Sequence, residues 1–159
     1  MLSQGGWAVA SHRVSRWLYI HKMGIAAETI WLLSRWLTSV DIHPLAVIGK
    51  NLRMPHPFGI VIGMHTRVGD DVTILQGVTL GVAHFLDRYS PEDLPVIEDG
   101  VTLGAGCKVL GRVHIGAHAV VGANAVVISD VPADSTAVGI PAKVLPKWRS
   151  RNDSMRGSQ

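Results

Sequence analysis

Aliphatic side chains recur at every sixth position through the second half of this chain. Ile62, Val68, Ile74 and Leu80 hold one phase; after an interruption Ile97, Leu103, Val109, Ile115, Val121 and Val127 hold it again. Gly follows the aliphatic at Gly63, Gly69, Gly81, Gly104, Gly116 and Gly122, and small or β-branched residues fill the fifth place at Val72, Val78, Val101, Ala119 and Ala125. A strand repeats at about 2 residues and a helix at about 3.6, so neither accounts for a sustained period of six. A hexad repeat is the pattern of a parallel β-helix. Each hexad supplies one short strand and a corner, three hexads close a triangular coil, and the aliphatics stack inward as a continuous core. The expectation is a mainly β fold with its coils over residues 41–145.

Residues 1–40 follow a different period. Val14, Trp17, Leu18, Ile25, Ile30, Trp31, Leu33 and Leu37 are spaced by about three and four, which predicts helices, with Gly24 as the break between two of them. The apolar stripe with Trp17, Trp31 and Trp36 suits either a peripheral membrane contact or packing against the first coil or a neighbouring subunit, and packing is the expected use.

The hexad phase breaks twice. Hexads beginning at Ile42, Ile48, Met54 and Ile60 run two residues out of register with Ile62, so a slip falls within Met54–Gly59. Two prolines flank His56 there and cannot continue a ladder, so His56 is expected to be presented to solvent. The second break, residues 82–95, holds His84, Asp87, Arg88, Glu92 and Asp93. Insertions in a solenoid protrude as loops and often form its binding face. Asp41 precedes His56 by about one coil, and coils stack roughly 4.8 Å apart. A carboxylate within reach of an imidazole fixes its tautomer and leaves the other nitrogen as a base. The spacing equally allows Asp41 to cap the turn Asp41-Ile42-His43-Pro44, with His56 merely exposed.

Composition narrows the classes. At 159 residues the chain reads as one unit, and 47% hydrophobic content suffices for a core. No apolar run reaches the length of a membrane span, and Ser11-His12-Arg13 interrupts any signal-like stretch. A lone cysteine, Cys107, excludes an internal disulfide framework, fits a reducing cytoplasm, and occupies a slot for a small wall residue. The net charge of +3 is concentrated in a basic tail over residues 146–159 and just before it. The tail suits a solvated terminus or a landing site for a phosphorylated cofactor. Without a basic stripe or nucleic-acid module, nucleic acid is not an expected partner.

Several motifs in order resemble the serine acetyltransferase branch of the left-handed β-helix acyltransferases. They are Asp41-Ile42-His43-Pro44, Ile48-Gly49, His56, Gly59-Ile60-Val61-Ile62-Gly63, Ile74-Leu75-Gln76-Gly77-Val78-Thr79-Leu80-Gly81, Gly104-Ala105-Gly106 and Gly139-Ile140-Pro141-Ala142-Lys143. The resemblance runs from about His12 to about Lys147. It implies a left-handed coil and acetyl-CoA-dependent transfer to a hydroxyl, with His56 as general base and Asp41 as its partner. It also implies a homotrimer with active sites between subunits. Acetyl-CoA would then lie near Gly81, Val82, Ala105 and Ala123, with Lys143 near its nucleotide end. A base must take the proton of a weakly nucleophilic hydroxyl as it attacks the thioester, and backbone N–H groups around Gly81 and Val82 are candidate donors to the oxyanion. The chemistry requires no metal and no acyl-enzyme.

Departures from that family concern the acceptor. Pro55 stands where the family has Asp, Val82 where it has a second Gly, and Leu94 or Tyr89 where its protruding loop has His. Arg88 and Asp87 remain as candidates to hold an amino acid, with His84 as a substitute imidazole. The expected acceptor is serine or a serine-like small molecule, with a sugar hydroxyl as the alternative. The terminal Ile by which the family docks onto its sulfhydrylase partner is missing, so no cysteine synthase complex is expected. Two other classes compete. A carbonic anhydrase-type β-helix would draw three metal ligands from His65, His84, His114 and His118, and a non-catalytic scaffold would need no site.

Overall fold

A computed structural model describes residues 3–83 and 90–145 of the protein. His84, Asp87 and Arg88, and the basic tail over 146–159, lie outside the described residues.

Two helices open the chain, α1 (Gln4–Ile20) and α2 (Gly24–Thr38). The Ser3 hydroxyl caps α1 by accepting the Gly6 N–H at 3.2 Å, one of the donors a helix start leaves unpaired. Lys22 (φ 62°) turns the chain between the helices, and Ser39 (φ 56°) ends α2 in the left-handed conformation. The helices touch through small residues: Ser15 and Ala27 are buried and the Ser15 hydroxyl donates to the Ala27 carbonyl at 2.7 Å, while Ala8 packs on the core of the coils. Close approach through small side chains turns larger ones outward, so Trp17 (55% exposed) and Trp36 (90%) do not pack on the first coil of their own chain. Only Trp31 of the three turns back onto the first coil, where it meets Asp41 and His43. No described helix is long and apolar enough to cross a membrane.

From Val40 the chain winds into three parallel sheets, the faces of a triangular prism. The first face stacks Val40–Ile42, Ile60–Ile62, Thr79–Gly81, Lys108–Leu110 and Val126–Val127. The second stacks Val47–Ile48, Arg67–Val68, Val96–Ile97 and His114–Ile115; the third stacks Thr73–Ile74, Thr102–Leu103, Val120–Val121 and Thr136–Val138. This is the parallel β-helix that the hexads predict, with the left-handed coil that the resemblance implies. All ten phased aliphatics, from Ile62 to Val127, are at most 3% exposed, and the fifth-place residues are fully buried. The regular coil is visible in the register Val61↔Thr79 and Lys108↔Val126, eighteen residues apart. The first coil is two residues longer, Val40↔Ile60, because the Met54–Gly59 corner absorbs the slip. Thr79↔Lys108 spans 29 residues because the loop over 82–95 leaves the prism between the first and second faces.

Corners require left-handed backbone, and there sequence identity follows from geometry. At Gly106 (φ 72°) a Cβ would strike the Asn124 side chain stacked on it, which favours Gly there. His65 (φ 59°) and His118 (φ 59°) occupy such positions at different edges of the prism. His114 lies on the second face, paired with Glu98 at 3.0 Å. Among the described residues, no three His, Cys, Asp or Glu side chains come together as a ligand set.

His12 of α1 is buried (4% exposed) against the first coil, and neither ring nitrogen has a well-formed hydrogen bond. Burial pushes its pKa down to about 4, outweighing the carbonyls of Ala46 and His43, which favour the charged ring; Arg16 and Arg13 add to the depression. The unfolded chain then takes up a proton near pH 6.5 that the folded one refuses until about pH 4. Stability is full above pH 6.5 and falls as pH drops through that window, by roughly 3 kcal/mol for this one group. Denaturation followed across pH 4–7 is expected to show this loss in the wild type and a flatter profile in His12→Leu.

Candidate active site

His56 sits at the corner joining the third face to the first. Buried Met54 and Pro57 anchor the corner, the Gly59 N–H donates to Ser39 O (3.0 Å), and the Gly77 N–H donates to Phe58 O (2.8 Å). Backbone is thus held on both sides of an exposed imidazole, as the flanking prolines predict.

The same corner continues down the prism as a column of close backbone approaches. A Cβ on Gly77 would lie 3.4 Å from Gly106 Cα, and the Asn124 N–H donates to Ala105 O at 2.8 Å. Ala105 and Ala123 therefore share one edge with His56, and neither projects a side chain beyond Cβ. The edge ends at Gly139–Ala142, tied to the last rung by Val126 N–H to Gly139 O (3.0 Å) and Ala142 N–H to Val126 O (2.8 Å). Exposed Lys143 follows in an added strand, Lys143–Leu145, which runs antiparallel on the third face. From His56 to this segment is four rungs, about 20 Å at the spacing of adjacent strands.

Gly81 and Val82 lie across the first face, at its corner with the second, where the loop departs. They line an apolar cavity of about 300 Å³ with Val61, Met64, Leu94 and Leu110. A Cβ on Gly81 would meet nothing within 4 Å. One chain therefore divides the predicted cofactor contacts between two edges. A second cavity, about 470 Å³, lies at the foot of the loop on the second face; Leu94 borders both, and Arg67, Arg112, His65 and His114 line it alongside Glu92 and Asp130. The two arginines escape sequence reasoning because outward hexad positions accept any polar residue.

Asp41 is the outward residue of Val40–Ile42, the edge strand of the first face, between two buried neighbours. Its Oδ1 accepts the Trp31 Nε1–H at 2.9 Å, and its Oδ2 lies 3.5 Å from Arg35 Nε. Among the described residues, no hydrogen bond joins it to His56. Nor does it cap the turn that follows: the Leu45 N–H donates to His43 Nδ1 at 3.0 Å, so His43 performs that role. Burial lowers the His43 pKa, against the pull of the Asp41 carboxylate. The helix partners of Asp41 were beyond sequence reasoning because Trp31 reads as one more apolar position in an amphipathic stripe.

Two groups are removed from consideration as nucleophile or free cation. Cys107 is fully buried in the wall and its thiol is pushed up to about 12, which leaves it without thiolate character. Lys108 is committed to the Gly77 carbonyl and the Thr79 hydroxyl.

Residues 95–129 match the model of the bacterial transferase hexapeptide (six repeats) family. The serine acetyltransferase of Synechococcus elongatus is 41% identical over 155 residues, which cover 98% of this chain and 62% of that protein. That of Helicobacter pylori is 41% identical over 149 residues, 94% of this chain and 85% of the other. Among solved structures, Neisseria gonorrhoeae serine acetyltransferase superposes with a TM-score of 0.88 at 34% identity, covering 98% of this chain and 59% of that one. A serine acetyltransferase in complex with CoA gives 0.83 at 36% identity, over 90% and 57% of the two chains. The chain thus spans about three fifths of the length of several relatives and most of the Helicobacter protein. With the β-helix, the His56 corner and these likenesses together, the chain belongs to the serine acetyltransferase family of hexapeptide-repeat transferases.

Proposed function

We propose that the protein transfers the acetyl group of acetyl-CoA to the hydroxyl of L-serine. The observation that carries the reading is the single prism edge with His56 at one end, the small residues Ala105 and Ala123 along it, and Gly139–Lys143 at the other. Its length of about 20 Å suits an extended acetyl-CoA, with the thioester at His56 and the phosphates toward Lys143. The likeness to a serine acetyltransferase solved with CoA supports the same cofactor.

In this reading His56 accepts the serine hydroxyl proton as the oxygen attacks the thioester carbon. The tetrahedral intermediate collapses with cleavage of the C–S bond, and the imidazolium returns the proton to the CoA sulfur. Asp41 holds the imidazole in the reactive tautomer. Backbone N–H groups near Gly81 and Val82 stabilise the oxyanion. Because Gly81 and His56 lie on opposite edges of the first face in one chain, a homotrimer with each site between two subunits reconciles them: the His56 edge of one chain faces the Gly81 corner of its neighbour.

Serine is favoured over a sugar hydroxyl by the likeness to a serine acetyltransferase solved with serine, 39% identical with a TM-score of 0.85. The arginines at the foot of the loop also suit an acceptor with a carboxylate. Arg88, Asp87 and His84 complete the acceptor contacts in this proposal. The acyl donor is a metabolite of the cell interior, consistent with a cytoplasmic enzyme.

A thiol-release assay with acetyl-CoA against L-serine, homoserine and a panel of sugars tests the acceptor. Release with serine is expected; release only with a saccharide moves the acceptor and leaves the acetyl-transfer machinery in place. His56→Ala is expected to lower kcat by about 10²–10⁴-fold with the trimer retained, measured by the same assay and by sedimentation. Gly81→Val adds bulk where one chain alone has room, at the corner proposed to receive the cofactor, so the KM for acetyl-CoA should rise roughly tenfold in the same assay.

A further inference from the structure

We infer that Trp31, with Arg35 beside it, is a positioning residue for the Asp41 carboxylate, so that helix α2 is part of the catalytic apparatus. The inference rests on the role proposed above for Asp41 and adds the device that orients it.

Trp31 is held from two sides. The Arg35 guanidinium carbon lies 5.5 Å from the centre of its ring, and His43 meets it edge-on at 4.9 Å. His43 is itself fixed by the Leu45 N–H. A ring clamped in this way points its one donor in one direction, and that donor meets Asp41 Oδ1 at 2.9 Å. The bond ends on a charged acceptor, which makes it stronger than a neutral pair and gives it a preferred direction. Arg35 contributes less geometry: its contact to Oδ2 is 3.5 Å and both side chains are partly exposed, so it adds only a weak, solvent-screened attraction. Two oxygens offer about four lone-pair sites, so these contacts leave Asp41 able to accept a further bond from an imidazole. Asp41 lies on an edge strand with no strand beyond it, where α2 is the closer of the two neighbouring helices. Without that helix the carboxylate would be free to rotate into solvent.

The test is a double-mutant cycle on the whole protein, using the acceptor that releases CoA in the assay above. Trp31→Phe keeps an aromatic side chain and removes the donor. It is expected to lower kcat about tenfold with the KM for acetyl-CoA and the melting temperature unchanged. In an Asp41→Asn background the same substitution should change kcat by less than about twofold, because the group it positions is already lost. Arg35→Gln should lower kcat by a smaller factor, and Arg35→Lys should restore most of it. A Trp31→Phe enzyme with wild-type kcat beside an impaired Asp41→Asn overturns the inference alone. So does an equal loss from Trp31→Phe in both backgrounds. An Asp41→Asn enzyme with unchanged kcat overturns the role of Asp41 itself and the inference with it.

Discussion

Everything in this molecule is registered by the stacking of aliphatic side chains along the inside of the prism. Each inward residue is covered by the equivalent residue one coil above and below, so Ile62, Leu80, Val109 and Val127 form one continuous column of apolar contact. Burial of this kind is the main favourable term in folding, and here it acts through a repeating contact and not through one central core. The ladder hydrogen bonds follow from it, as does the positioning of every corner at a fixed height along the prism axis. Chemistry at a corner inherits that precision without needing any buried polar network.

The solenoid also explains where variation is tolerated. Residues can be added only where the chain leaves the prism, because an insertion within a strand would move every later aliphatic off the inner wall. The two departures fall at corners: two extra residues place His56, and the longer excursion after Gly81 forms a loop. Both departures adjoin the first face. The surface of greatest chemical interest is the one on which the repeat is least regular.

The inner wall and the corners were legible in the sequence because they are periodic. An aliphatic every six residues has one physical explanation, and the slip at Met54–Gly59 marks an exposed histidine in the sequence itself. The relation of His56 to Ala105, Ala123 and Gly139–Lys143 required the coil to be wound, since only then do positions so far apart in the chain fall on one edge. The environment of Asp41 was not legible. Its spacing from His56 suggested a direct pair or a turn cap; His43 caps the turn, and the contacts of Asp41 to Trp31 and Arg35 had no sequence signal. Tryptophan in an amphipathic helix is read by its apolar face, and its single N–H becomes informative only when the residue opposite is known. The outward-facing Trp17 and Trp36 illustrate the same weakness: periodicity identified a helical stripe, but small residues chose which side became the interface.

The strand Lys143–Leu145 turns back antiparallel against Thr136–Val138 after all preceding strands have run parallel. A parallel β-helix is open-ended by construction, and its last rung offers unpaired backbone groups to any other chain with a similar rung. Reversing direction occupies the third face with a strand of the wrong polarity for continuing the coil. Helix α2 lies against the opposite terminus, where Val40–Ile42 would otherwise be bare. The rod is therefore stoppered at one face of one end and shielded at the other, and copies are discouraged from polymerising end to end. The sides of the prism are left open, and the His56 edge runs along one of them.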